Sequence, residues 1–142
     1  MSGLAAPTGV PEGTKVFWES NVQAYFKAWV DKDMDAGLSY FLEDSKFDDY
    51  HMGVKAKDKS EVRGWLEMCF RLLNNITYDV ISISGDHKHF VVEGLMAWKY
   101  AEDFQEAKKG QADAVKGVSV LEFNDQGKIL YQRDYYIPLK KE

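Results

Sequence analysis

Residues 25–49 read YFKAWVDKDMDAGLSYFLEDSKFDD. Upstream and into it, Trp18, Val22, Tyr25, Phe26 and Trp29 recur at helical spacing, which predicts an amphipathic helix from Lys15 that ends in the polar run Asp31, Lys32, Asp33. Asp33 is placed to cap a second, short helix that runs through Leu42 and buries Met34, Leu38, Phe41 and Leu42. Residues 46–52 then alternate as a strand, with Phe47, Asp49 and His51 on one face and Asp48, Tyr50 and Met52 on the other. If the first face is the inner one, the carboxylate of Asp49 sits among apolar side chains. Turned over, the strand sends Asp48 inward instead.

Further along, Asp58 and Glu61 frame a capping box at the start of a third helix, whose apolar side carries Val62, Trp65, Leu66, Met68, Cys69, Leu72 and Leu73 before Asn74 and Asn75 end it. Residues 76–84, 88–101, 113–123 and 128–138 are β-rich. The tight breaks at Gly85-Asp86 and at 124–127 predict antiparallel hairpins, and the polar stretch 102–112 a longer connection. Helix, helix, strand, helix and four strands make an α+β fold: a strongly bent antiparallel sheet with helices over one face. Residues 1–14 hold Gly3, Pro7, Gly9, Pro11 and Gly13 and read as a flexible leader, which leaves 15–142 as a single domain.

Composition narrows the function. The 142 residues include 4 Trp, 8 Tyr and 8 Phe, enough large rings to line an apolar interior that receives flat ligands. The net charge is −5, and no basic run exceeds the pairs Lys108-Lys109 and Lys140-Lys141, so nucleic acid is not an expected partner. Cys69 is the only cysteine, which excludes an intrachain disulfide and suits burial on a helix. With no apolar run of about 18 residues and no signal-like start, a cytoplasmic protein free of the membrane is expected. Asp86, His87, Lys88 and His89 straddle a turn and read as a solvated hairpin tip rather than a metal clip. No phosphate-cradling glycine motif and no Gly-x-Ser-x-Gly or Cys/His arrangement occurs, so neither cofactor nor metal is called for.

Four local features resemble the NTF2-like superfamily, which includes ketosteroid isomerases, SnoaL-like polyketide cyclases, limonene epoxide hydrolases and scytalone dehydratase. They are Val22-Gln23-Ala24-Tyr25 followed by Trp29, Asp33, Asp35 and Phe41-Leu42-Glu43-Asp44; the strand Phe47-Asp48-Asp49; the turn Asn124-Asp125-Gln126-Gly127 between Phe123 and Ile129; and Gln132-Arg133-Asp134-Tyr135-Tyr136. The resemblance covers residues 15–142 and implies the cone-shaped, cystatin-like fold of these proteins, with three helices covering the concave face of the sheet. It also places Tyr25 where the ketosteroid isomerases keep an oxyanion-stabilising tyrosine and Asp49 where they keep the general base. Ser119 stands where they keep a hydrogen-bond-donating aspartic acid. Of the epoxide hydrolase Asp-Arg-Asp triad only Asp134 is matched, since Gly94 and Met96 occupy the equivalent places on their strand.

The expected site joins these readings. Asp49 is the general base, Tyr25 the oxyanion donor, Asp134 the auxiliary acid and His51 a proton shuttle between the carboxylates. Around them, Trp29, Phe47, Trp65, Cys69, Met96, Trp98, Ser119, Gln132 and Tyr136 form the substrate-binding wall. A carboxylate in such surroundings loses hydration and its pKa rises toward neutrality, as proton abstraction next to a carbonyl requires. The expected function is a cofactor-independent isomerase, cyclase or lyase acting on a small hydrophobic carbonyl compound. The alternative is a non-catalytic module that binds a small ligand or dimerises; a homodimer through an exposed sheet face bearing Tyr78, Tyr131 and Tyr135 is expected and is compatible with either function.

Overall fold

The computed structural model describes residues 3–139. Its first helix is a continuous rod of three pieces: α1 (Glu12–Phe17), a π-helical stretch (Trp18–Val22) and α2 (Gln23–Val30). The rod starts three residues before the expected Lys15 and buries Trp18, Val22, Tyr25 and Phe26 of the periodic set read from the sequence, with Trp29 half-buried. The segment before it is held against the core. The Leu4 carbonyl accepts from Trp18 Nε1 and Gln23 Nε2, both at 3.0 Å, and the Val80 amide donates to the Gly3 carbonyl at 2.9 Å.

Asp33 caps α3 (Met34–Leu38) by accepting from the Ala36 amide at 3.1 Å. This helix stops short of the expected Leu42, because Phe41 and Leu42 already belong to strand β1 (Phe41–Asp49). A short β2 (Val54–Ala56) folds back antiparallel on β1. Asp58 accepts from the Glu61 amide at 2.9 Å and opens α4 (Lys59–Leu72), which runs directly into β3 (Leu73–Gly85). The remaining strands are β4 (Phe90–Tyr100), β5 (Ala112–Phe123) and β6 (Ile129–Pro138).

One six-stranded sheet results, in the order β2-β1-β6-β5-β4-β3. Strands β3 to β6 form the expected antiparallel meander, but β1 pairs with β6 in parallel, so the sheet is mixed where an all-antiparallel one was expected. The parallel register sets Phe47 beside Gln132, Asp48 beside Arg133 and Asp49 beside Asp134. The helices lie on one face: α4 against β1, β2 and β3, and α1 and α2 against β3. Trp18, Phe47, Leu66, Phe90, Leu121 and Ile129 are fully enclosed between the layers. Among the described residues no helix is long and apolar enough to cross a membrane, and no cluster of three or more His, Cys, Asp or Glu could hold a metal ion.

Candidate active site

Alternation along β1 decides which acid enters the interior. Phe47 and Asp49 point inward under α4, and Asp48 points to the outer face, yet all three are buried. Asp48 is covered by aromatic neighbours: its Oδ2 accepts from Tyr131 Oη and, at 3.3 Å, from Tyr50 Oη, and Tyr135 stacks on Tyr50 with ring centroids 4.7 Å apart. Arg133 also lies on this face, over the Tyr131 ring and 3.5 Å from Glu122.

The inner face opens on a cavity of about 330 Å³. Asp49 and Asp134, on adjacent strands at the same level, both line it, with Ser119 of β5 as the next residue in that row. Asp134 Oδ1 accepts from Ser119 Oγ at 2.8 Å and from Gln132 Nε2 at 3.0 Å. Among the described residues no donor reaches Oδ2, which leaves that oxygen to the cavity. Asp134 is half-buried in the cavity wall, with protein packed closely around its carboxyl. Burial therefore lifts Asp134 to about 6 against the two hydrogen bonds that favour its charged form, and the nearby negative charge of Asp49 adds to the rise.

Asp49 is occupied differently. Its Oδ2 accepts from Tyr136 Oη at 2.7 Å and its Oδ1 from the Met52 amide at 2.9 Å. Burial first, and then the bond to Asp49, keeps the Tyr136 proton in place far above the ordinary phenol range. The Cys69 thiol, on the α4 side of the cavity, is likewise pushed up by burial and by Asp49 and Asp134, so it stays protonated and serves as lining.

Of the expected site residues, Trp29, Asp49, His51, Trp65, Cys69, Met96, Trp98, Ser119, Asp134 and Tyr136 come together around this one cavity. Tyr25, Phe47 and Gln132 do not line it. Phe47 is a fully enclosed core residue, because β1 passes under α4 at that point. Tyr25 is also enclosed, among Phe26, Tyr40 and Phe41, and donates to Gln132 Oε1 at 2.6 Å. It stands behind the wall, at the far end of a relay from Tyr25 through Gln132 to Asp134, rather than in the cavity as an oxyanion donor. His51 has left the strand, since β1 ends at Asp49; its exposed ring sits at the mouth, 4.8 Å from Tyr136, and not between the carboxylates. Trp65 Nε1 and Trp98 Nε1 are buried without a hydrogen-bond acceptor among the described residues.

Tyr78, Gly94 and Gly117 also line the cavity and were not anticipated there. Tyr78, expected on the outer sheet face of a dimer, packs on Phe26 with centroids 4.9 Å apart. The two glycines carried a usable signal, since an isolated glycine inside a strand marks a place where something approaches the backbone closely.

The family model for the SnoaL-like domain matches residues 22–132. The chain belongs to the SnoaL-like family. This SnoaL-like domain is 24% identical over 103 residues to the cyclase aurE of Calcarisporium arbuscula, a match that covers 72% of this chain and 74% of that one. Its fold is that of a proposed SnoaL-like polyketide cyclase from Shewanella denitrificans, with a TM-score of 0.73 at 19% identity over 84% of this chain and 89% of that one. IdmH, a proposed polyketide cyclase from Streptomyces antibioticus, superimposes with a TM-score of 0.69 at 11% identity, covering 83% and 90% of the two chains. The α+β, NTF2-like architecture expected from the sequence is thus the one observed.

Proposed function

We propose that this SnoaL-like domain is a cofactor-independent acid–base enzyme of the cyclase or isomerase type, acting on a small, mostly apolar carbonyl compound such as a polyketide- or terpenoid-derived metabolite. The observation that carries this reading is Asp134: its Oδ1 is pinned by Ser119 and Gln132, its Oδ2 faces the cavity, and its pKa is lifted to about 6. Kinship with proteins named as cyclases supports it.

A carboxyl of that strength is mostly ionised at neutral pH and is a better base than an ordinary aspartate, as removal of a proton next to a carbonyl demands. In the proposed step the C–H bond breaks and its electron pair forms the enolate double bond. The carbonyl oxygen takes the negative charge, and the proton rests on Asp134 Oδ2. The enolate carbon then attacks a second carbonyl of the same molecule, and Asp134 returns the proton to the new alkoxide, which closes a ring. Return of the proton to a different carbon is isomerisation; in the lyase outcome Asp134 takes a second C–H proton from the carbon next to the carbonyl, its electron pair forms a carbon–carbon double bond, and the new hydroxyl leaves with that proton as water. The role of base passes from Asp49 to Asp134 in this scheme, because both Asp49 oxygens already accept hydrogen bonds. Asp49 contributes its charge and the hold on Tyr136.

The test needs no natural substrate. Deuterium uptake next to the carbonyl of 2-tetralone, a flat two-ring ketone, is followed by proton NMR in deuterated buffer. The native protein is expected to accelerate uptake, with a rate that rises through the Asp134 midpoint, and Asp134→Asn to lose about 100-fold or more. Asp49→Asn removes a charge that raises the Asp134 pKa, so the midpoint is expected to move below about 6. Full exchange by Asp134→Asn would end the assignment, and a native protein that binds tetralone without exchanging it would favour a ligand-binding module.

A further inference from the structure

Tyr78 enters the interior from β3 with its ring tilted against Phe26 and close upon Gly94 of β4. A Cβ on Gly94 would fall 2.5 Å from Cε1, Cζ and Oη of Tyr78, so the phenol fills space that any side chain at 94 would need. Gly117, directly across from Gly94 on β5, is bare in the same way: a Cβ there would fall 2.5 Å from Tyr136 Cβ. The two glycines form a flat floor beside the Ser119–Asp134 row, with Tyr78 over one and Tyr136 against the other.

The two phenols differ in what remains free. The Tyr136 hydroxyl is committed to Asp49. The Tyr78 hydroxyl makes no hydrogen bond among the described residues, and Tyr78 lines the same cavity as Asp134. Burial, and after it the charges of Asp134 and Glu93, keep its proton in place, so it is a neutral donor throughout the range in which Asp134 titrates.

We propose that Tyr78 donates a hydrogen bond to the substrate oxygen on which charge develops, and that Gly94 is the position that allows its ring to lie there. This rests on the reading of Asp134 as proton acceptor. A donor fixed in a water-poor cavity strengthens its bond as the oxygen becomes charged, without having to reorient during the step.

The probe is 2-naphthol, a fixed enol whose oxygen accepts from Tyr78 while its own hydrogen is offered to Asp134. Its binding is titrated by fluorescence, below and above the Asp134 midpoint, to native protein, Tyr78→Phe, Gly94→Ala and Asp134→Asn. Tyr78→Phe is expected to weaken binding about three- to tenfold at both pH values, the worth of one hydrogen bond. Its Tm should stay within about 2 °C of native, because the lost hydroxyl has no protein partner. Gly94→Ala, which displaces the ring but keeps the hydroxyl, is expected to weaken binding at least as much. Unchanged affinity in Tyr78→Phe, or a fall of many degrees in its Tm, would overturn the proposal. The two readings separate cleanly: pH-dependent binding that survives in Asp134→Asn removes the proton acceptor and leaves the Tyr78 donor standing. An Asp134→Asn protein that loses this dependence, alongside an unaffected Tyr78→Phe, does the reverse.

Discussion

The two ends of the sheet are made from the same strands and filled in opposite ways. At one end the inner face carries Phe90, Val92, Leu121 and Ile129, which meet Trp18 and Val22 of the helical rod, and all are fully enclosed. At the other end the same β4 and β5 offer Gly94, Met96, Trp98, Gly117 and Ser119, and a cavity of about 330 Å³ remains. Hydrophobic content does not separate the two, since both ends are rich in rings. The difference is that the solid end interleaves side chains from both layers, whereas the hollow end withholds two β-carbons and spans the gap with stiff phenols and indoles that cannot collapse into it. Binding space here is the product of rigidity around missing atoms.

Paired truncations test this contrast most strongly. Phe90→Ala, in the solid end, is expected to cost about 3 to 5 kcal/mol, and Met96→Ala, beside the existing void, on the order of 1 kcal/mol, both read by chemical denaturation. Equal losses would mean that the hollow end is as tightly filled as the other.

The second test follows from Asp134, which titrates at about 6 when folded against an ordinary value of 3.8. The folded state thus holds this proton more tightly than the unfolded chain. The stabilisation is complete below the ordinary value and is lost as pH rises through about 6. Asp134→Asn removes that loss and keeps an acceptor for Ser119 and Gln132. It is expected to gain up to about 3 kcal/mol over native protein above neutrality and nothing in acid, at about 1.4 kcal/mol per pH unit of displacement. Denaturation midpoints across the pH range check it. A variant no more stable than native protein at alkaline pH would show that the carboxyl is well hydrated.

The smallest effect is expected behind the wall. Tyr25→Phe leaves Gln132 Oε1 buried without its donor, at a cost of about 1 to 2 kcal/mol. Exchange activity should fall only modestly, because Ser119 still holds Asp134. A loss as large as that of Asp134→Asn would move Tyr25 from a positioning role into the chemistry.

The sequence carried the fold well wherever a local signal reports a local structure. The helical stripe ending at Asp31, the Asp33 and Asp58 caps, and the hairpin turn at 124–127 all act over a few residues and appear as read. Phe41 and Leu42 fit a short helix and a buried strand equally well by pattern, and only pairing with β6 decided for the strand. That parallel pairing joins segments far apart in sequence, which no periodicity reports. Within the site, alternation set Phe47 and Asp49 on one face and Asp48 on the other, and packing under α4 decided which is the inner one. Strand β3 shifts register with β4 between Asn74 and Thr77 and again between Val80 and Ser82, but residues 77–80 between the shifts pair without interruption. Tyr78 was expected outside and is found within, on the face it shares with buried Ile76 and Val80. Tyr25 illustrates the other limit: its position in the chain matched a catalytic tyrosine, but whether a hydroxyl reaches a cavity depends on its neighbours, here Gln132.

The place of β6 in the sheet has a further consequence. This strand, the last of the six in the chain, is inserted between β1 and β5 and supplies Gln132, Asp134 and Tyr136. Until it docks, β1 with β2 and the β3–β5 meander are separate fragments, each with an unpaired edge available for wrong partners. Pairing β1 with β6 closes a long loop, which is entropically demanding and slows assembly by the measure of contact order. The reacting groups therefore arrive with the keystone: a molecule caught halfway through folding has no proton-transfer centre, and the competence to react and the completion of the architecture are one event.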